Sequence, residues 1–134
     1  MSGLVLKLSP KERLLINGAV IENGTKRSRF SVITPNANIL RLKDALHPNQ
    51  ARTPVRRVCY IAQLVLSGDI DEESATTQLL EGISQLRQVM AGTLCQKVLI
   101  LARDAIESGQ YYQGLKCLRQ LIPFEDALLA KASD

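Results

Sequence analysis

Tryptophan does not occur in this 134-residue sequence, and two phenylalanines and three tyrosines make up its whole aromatic content. A core built around large rings is excluded, so the interior has to come from Leu, Val, Ile and Ala. The same scarcity removes most of the flat side chains on which nucleobases stack. Histidine occurs once, as His47, and cysteine three times, as Cys59, Cys95 and Cys117. There is no CxxC pair, and a zinc site cannot be assembled from so few close ligands. Each cysteine falls on the apolar stripe of an expected helix, where a reduced thiol behaves as a small hydrophobe. No apolar run approaches the roughly 18 residues of a membrane span, and no signal-peptide pattern opens the chain. The expectation is a cytoplasmic protein with free thiols and no membrane association.

Catalytic patterns are missing too. There is no Gly-rich phosphate loop. His47 lies in the loop-like Leu46-His47-Pro48 and Cys59 on a buried stripe, with nothing to orient them as base and nucleophile. Asp71, Glu72 and Glu73 are consecutive at a helix start, so their carboxylates diverge. The sequence therefore reads as a binding protein, not an enzyme, and calls for no cofactor or metal.

What is present is an uneven distribution of charge. Residues 1–57 hold eleven Lys and Arg against Glu12, Glu22 and Asp44, a net +8. Residues 58–134 hold six bases against ten acids, a net −4, so the overall +4 conceals a basic third and an acidic remainder. A concentrated positive field attracts polyanions.

The basic third has the punctuation of short strands. Leu4–Leu8 is closed by Ser9-Pro10, and Leu14–Ile16 ends in Asn17-Gly18, the dipeptide suited to a type I′ turn. Ala19–Glu22 leads to a second such dipeptide, Asn23-Gly24. Arg29–Thr34 alternates and is rich in β-branched side chains. Pro35–Asn38 breaks the run before Ile39–Leu42. These features predict an antiparallel meander.

From residue 51 the period changes to 3.6. Thr53-Pro54 is a cap followed by proline at the first helical position. Val55, Val58, Cys59, Ala62, Val65 and Leu66 form a stripe that Gly68 stops. A second helix opens at Asp69–Glu73 and runs through Met90, and a third spans Leu94–Ile106 up to Gly109. The fourth carries Tyr111, Leu115, Leu118 and Leu121, and Pro123 is expected to stop it. The fold class predicted is α+β, with a small antiparallel β lobe over residues 1–50 and a four-helix lobe over 51–134. Ala105–Leu115 resembles the turn of a tetratricopeptide-type helical hairpin, which makes Tyr111 and Tyr112 candidates for protein contact.

Longer runs carry a more specific resemblance. Gly3–Leu8, Pro10–Arg13 and Leu15–Gly24 are similar to the opening of the FlbT family, flagellum biosynthesis repressors of alphaproteobacteria. Thr34–Arg41, Thr53–Gln63 and Gly109–Tyr112 extend the likeness over nearly the whole chain. The resemblance implies post-transcriptional control of flagellin, through binding to the 5′ untranslated region of flagellin mRNA and promotion of its decay. It also implies FlaF, a small flagellar regulator, as a partner. The N-terminal third further resembles the carbon storage regulator CsrA, a strand-exchanged RNA-binding dimer that uses its first and last strands. Carried over, these are Leu4–Leu8 and Ile39–Lys43.

The expected RNA-binding residues are then Lys7, Arg41 and Lys43 on strands, with Arg27, Arg29, Arg56 and Arg57 beside them. Period-two alternation places Arg41 and Lys43 on one face. With Phe30 the lone aromatic of the basic region, stacking falls to guanidinium planes. About five phosphates engaged would give a slope of log affinity on log salt of about −3.5. The alternative is a protein-interaction module that binds flagellin or FlaF. The exposed edge of Leu4–Leu8 points to a homodimer.

Overall fold

The computed structural model describes residues 4–35 and 37–132. Gly3, which opens the FlbT-like run, and Asn36, in the expected bend, lie outside them. Five short strands come first: β1 (Leu4–Leu8), β2 (Arg13–Ile16), β3 (Ala19–Glu22), β4 (Ser28–Val32) and β5 (Ile39–Arg41). Two 3-10 turns, Leu42–Asp44 and Pro48–Gln50, lead into five helices: α1 (Pro54–Ser67), α2 (Glu72–Val89), α3 (Thr93–Glu107), α4 (Tyr111–Arg119) and α5 (Ile122–Ala132). The α+β architecture is the one expected.

Asn17-Gly18 forms the turn its chemistry favours, with φ of +49° and +86°, the two positive angles of a type I′ hairpin. It joins β2 to β3 with Ile16 opposite Ala19. Asn23-Gly24 does not make the second hairpin. β3 pairs with β2, whereas β4 pairs antiparallel with β1, Leu6 opposite Phe30. The strands thus form a β1-β4 ribbon and a β3-β2-β5 sheet in place of a continuous meander. The reason lies in the Asn23 side chain. Its Nδ2 donates to Ser9 O at 2.7 Å and Lys26 O at 3.0 Å, and its Oδ1 accepts from Ser28 Oγ. Asn23 therefore spreads the chain into a wide loop that carries β4 across to β1.

The two apolar clusters meet at a seam. Leu6, Leu8, Leu14 and Ile39 fill the strand lobe, with Phe30 packed against them. Leu40 points the other way, into the large helical cluster, and Tyr112 packs against both. Polar clasps reinforce the seam: the Gln63 side chain bonds both the N–H and the C=O of Leu46, and Arg119 Nη1 donates to Asp44 O at 2.6 Å.

α1 begins and ends where its sequence suggests, with Pro54 in its first turn and Gly68 at φ +81° after its last residue, but the Thr53 side chain does not cap it: Thr53 Oγ1 and Val55 N both donate to Glu125. Asp71 caps α2 by accepting from Ser74 N. Two glycines sit in close packing: a Cβ on Gly82 would lie 2.7 Å from Cγ2 of the stiff Val58, and one on Gly114 would lie 2.5 Å from Cδ1 at the end of Ile106, so a neighbour would have to shift in each case. α5 was not expected. Pro123 does not stop α4; it occupies the first turn of α5, where its missing N–H is no loss. Cys59 and Cys95 are buried, but Cys117 is only half-buried.

Candidate nucleic-acid interface

The seven bases singled out in the sequence do not form one platform. Alternation along β1 turns Leu6 and Leu8 inward and Val5 and Lys7 outward. Pairing with β4 sets Lys7 directly opposite Arg29, and Val5 opposite Ser31, on the same outer face. Two cations opposed across an antiparallel ladder repel one another, so the pair carries a cost that a bound anion would remove. Arg27 lies just before β4, and with Lys7, Ser9, Ser28 and Arg29 it lines an open depression of about 460 Å³. Among the described residues, Lys7, Arg27 and Arg29 have no acid within ion-pair distance. Val5 and Ile33, 48% and 74% exposed, add apolar surface to the ribbon.

The other bases are committed elsewhere. Arg41 leaves β5 and closes on Glu12, Nε on Oε2 at 2.6 Å and Nη2 on Oε1 at 2.8 Å, while Nη2 also donates to Lys7 O at 2.7 Å. The clasp fastens the ribbon to the three-stranded sheet. Hydrogen bonds from the Arg41 guanidinium, helped by the Ser9 N–H, hold the Glu12 carboxyl at about 2 against an ordinary 4.5, in spite of its burial. Lys43 is not on a strand, because Leu42–Asp44 is a 3-10 turn and alternation stops at Arg41. Its Nζ lies 4.0 Å from Glu12 Oε1. Arg56 forks onto Asp126 at 2.8 and 3.1 Å, so it is locked to the helical lobe. Arg57, on α1 and apart from the ribbon, donates from Nη2 to Arg52 O just ahead of the helix. Each acid of the basic third takes a base: Glu12 takes Arg41, Glu22 takes Arg13, and Asp44 takes Arg119. Lys7, Arg27 and Arg29 are what the structure brings together.

Phe30 lies on the inner side of the ribbon, packed on the strand cluster, and offers no ring to a ligand on the outer face. Tyr111 is 5% exposed and its hydroxyl meets Thr76 Oγ1 at 2.6 Å, tying α4 to α2 inside the core. It has no surface to offer a partner. Tyr112 is half-buried at the seam, beside Arg41, where burial pushes its phenol up.

This geometry belongs to a chain whose likeness to known proteins runs nearly end to end. The family model for flagellar protein FlbT matches residues 4–129. The chain belongs to the FlbT family. A flagellum biosynthesis repressor protein FlbT of Caulobacter vibrioides is 28% identical over 130 residues, covering 97% of this chain and 92% of the relative. Relatives named as probable flagellum biosynthesis repressors FlbT come from Caulobacter sp. strain K31 and Rhodopseudomonas palustris. They are 32% and 33% identical, covering 97% and 96% of this chain and 98% of each relative. No solved structure matches. Among the described residues, no helix of this FlbT chain is long and apolar enough to cross a membrane.

Sequence reading missed two residues that shape the site. In the charge count Glu12 is only a minor offset to the positive charge, yet it removes Arg41 from the candidates. The Asn23-Gly24 pattern predicts a hairpin turn, whereas the Asn23 side chain positions the loop bearing Arg27. A pattern-based signal exists only for Asn23, through its local Asn-Gly setting.

Proposed function

We propose that this chain is a non-catalytic repressor of flagellar gene expression that acts after transcription. It would bind the 5′ untranslated region of flagellin mRNA through the outer face of the β1-β4 ribbon and favour decay of the message. The observation that carries this reading is the opposed, acid-free pair Lys7 and Arg29 with Arg27 beside them. Family membership supports the flagellar assignment, since the relatives bear the name of repressors. With no ring on this face, guanidinium planes and phosphate contacts supply the binding, and RNA shape supplies the selectivity.

Crosslinking in cells, followed by sequencing of the bound RNA, tests the proposal. Flagellin leader sequences should be enriched, and Lys7→Glu with Arg29→Glu should abolish the enrichment at unchanged protein level. Retention of flagellin or FlaF by the purified protein after nuclease treatment, together with absence of leader RNA, would instead support a protein-interaction role. Of the two hairpin tyrosines, Tyr111 is buried and half-buried Tyr112 is the one left to such a contact.

A further inference from the structure

Lys7, Arg27 and Arg29, with no acid partner among the described residues, crowd one depression on the outer face of the β1-β4 ribbon. Lys7 and Arg29 are opposed across the ladder, about 5 Å apart at their Cα atoms. Arg27 stands two residues before Arg29, at most about 7 Å away along the chain.

The walls of the depression are fastened from behind. Arg41 Nη2 donates to Lys7 O at 2.7 Å. Asn23 Nδ2 donates to Ser9 O at 2.7 Å and to Lys26 O at 3.0 Å, and Asn23 Oδ1 accepts from Ser28 Oγ at 2.7 Å. One side chain thus ties Ser9, on the β1 side, to Ser28, on the β4 side. The backbone under the cations is set before any ligand arrives, which lowers the ordering that binding must impose. The positive charge also ends abruptly. Past Lys7 and Arg29 the outer face carries Val5 opposite Ser31, and Ile33, just beyond β4, is 74% exposed.

We propose that this depression holds a terminal oligophosphate, a di- or triphosphate group, presented by the 5′ end of an unprocessed transcript or by a free nucleotide. An RNA chain carries one phosphate charge per nucleotide, so meeting three cations this close together requires a sharp local turn of the strand. A triphosphate concentrates its charge on directly linked phosphorus atoms and meets all three cations as one group. The guanidinium forks of Arg27 and Arg29 suit its paired oxygens, and the Lys7 ammonium adds a point charge. A ligand there also removes the repulsion of Lys7 and Arg29 across the ladder. The neutral face at Val5 offers no cation to a further phosphate on that side, as suits a terminal group. The transcript-end form rests on the RNA reading above; the oligophosphate site itself does not.

Calorimetric titration of the full chain in magnesium-free buffer, with inorganic tripolyphosphate and with inorganic phosphate, tests the site. Tripolyphosphate should bind one to one and at least about tenfold more tightly than phosphate. Arg29→Gln, at an exposed position and checked for folding by circular dichroism, should weaken it about tenfold. Arg56→Gln should leave it unchanged, because Asp126 already holds Arg56. Fluorescence anisotropy with one leader RNA ending in a 5′-triphosphate or a 5′-hydroxyl separates the two sources. A triphosphate end that binds at least about tenfold better puts the transcript end in the site. Equal binding of the two RNAs, with guanosine triphosphate bound as tightly as tripolyphosphate, assigns the site to free nucleotides. Tripolyphosphate no tighter than phosphate, or indifferent to Arg29→Gln, would overturn the proposal even if leader RNA still bound through Lys7. Tripolyphosphate bound through Arg29, with no affinity for leader RNA, would uphold the site and sink the RNA reading alone.

Discussion

Glu12→Gln isolates the clasp that takes Arg41 out of the nucleic-acid site. The ordinary carboxyl value of 4.5 falls to about 2 in the folded protein, a change that at 1.36 kcal/mol per unit sets an upper bound of about 3.4 kcal/mol. Glu12 itself is well covered, but Lys43 is 53% exposed and solvent screens that part of the field. About 2 kcal/mol is therefore expected for the substitution at neutral pH. The sign follows from the depressed value. The ionised carboxylate is favoured in the folded state, so its contribution is full above about pH 4.5 and is lost as the pH falls toward 2. Urea unfolding followed by circular dichroism reads the difference. At pH 7 the midpoint of the variant should drop by about 1 M, for a slope near 2 kcal/mol per M. The gap to wild type should close between pH 4.5 and 2, where a protonated Glu12 differs little from Gln. Equal midpoints at pH 7, or a gap that persists unchanged to pH 2, would refute the reasoning, since either would mean that the Arg41–Glu12 charge pair does not hold the two sheets together.

Gly82→Ala should destabilise by about 1–2 kcal/mol, because the stiff Val58 side chain has to move and the gain in helix propensity offsets only part of that cost; thermal unfolding measures it. Gly18→Ala should cost about 1 kcal/mol through the positive φ of the β2–β3 turn, and Gly18→Asn, which tolerates that φ better, should cost much less by the same measurement. A thiol-reactive dye should label Cys117 in the folded chain well before Cys59, whose thiol burial pushes up to about 12; equal rates would contradict the packing around α1. Glu125→Gln should fray the start of α1 and cost about 1 kcal/mol or more, read as faster amide exchange at residues 55–57.

What the sequence made legible was local. Asn17-Gly18 specifies its turn because both residues accept positive φ, and Thr53-Pro54 with Gly68 delimits α1 because helix ends have their own chemistry. What it hid depends on partners far along the chain. Asn23-Gly24 has the same letters as a hairpin, yet the Asn23 side chain bonds Ser9 and opens a loop. Arg41 and Glu12 are 29 residues apart, and Glu125 and Val55 are 70 apart. No periodicity announces either pair. Pro123 suggests a stop in the sequence because proline ends helices as readily as it begins them. For the site, the charge count correctly placed an unbalanced positive field in the first third. It could not tell a cation facing solvent, such as Lys7, from one already held, such as Arg41.

The free cations of the β1-β4 ribbon, and not Arg41 or Arg56, are the groups proposed to hold the transcript. Fluorescence anisotropy with a flagellin leader RNA across a salt series tests it most directly. Three phosphates engaged by Lys7, Arg27 and Arg29 predict a slope of log affinity on log salt of about −2, shallower than seven pooled bases would give. Lys7→Gln should reduce that slope by about 0.7, while Arg56→Gln should leave it unchanged. Affinity that ignores salt, or a slope that responds to Arg56 and not to Lys7, would place the RNA elsewhere on the protein.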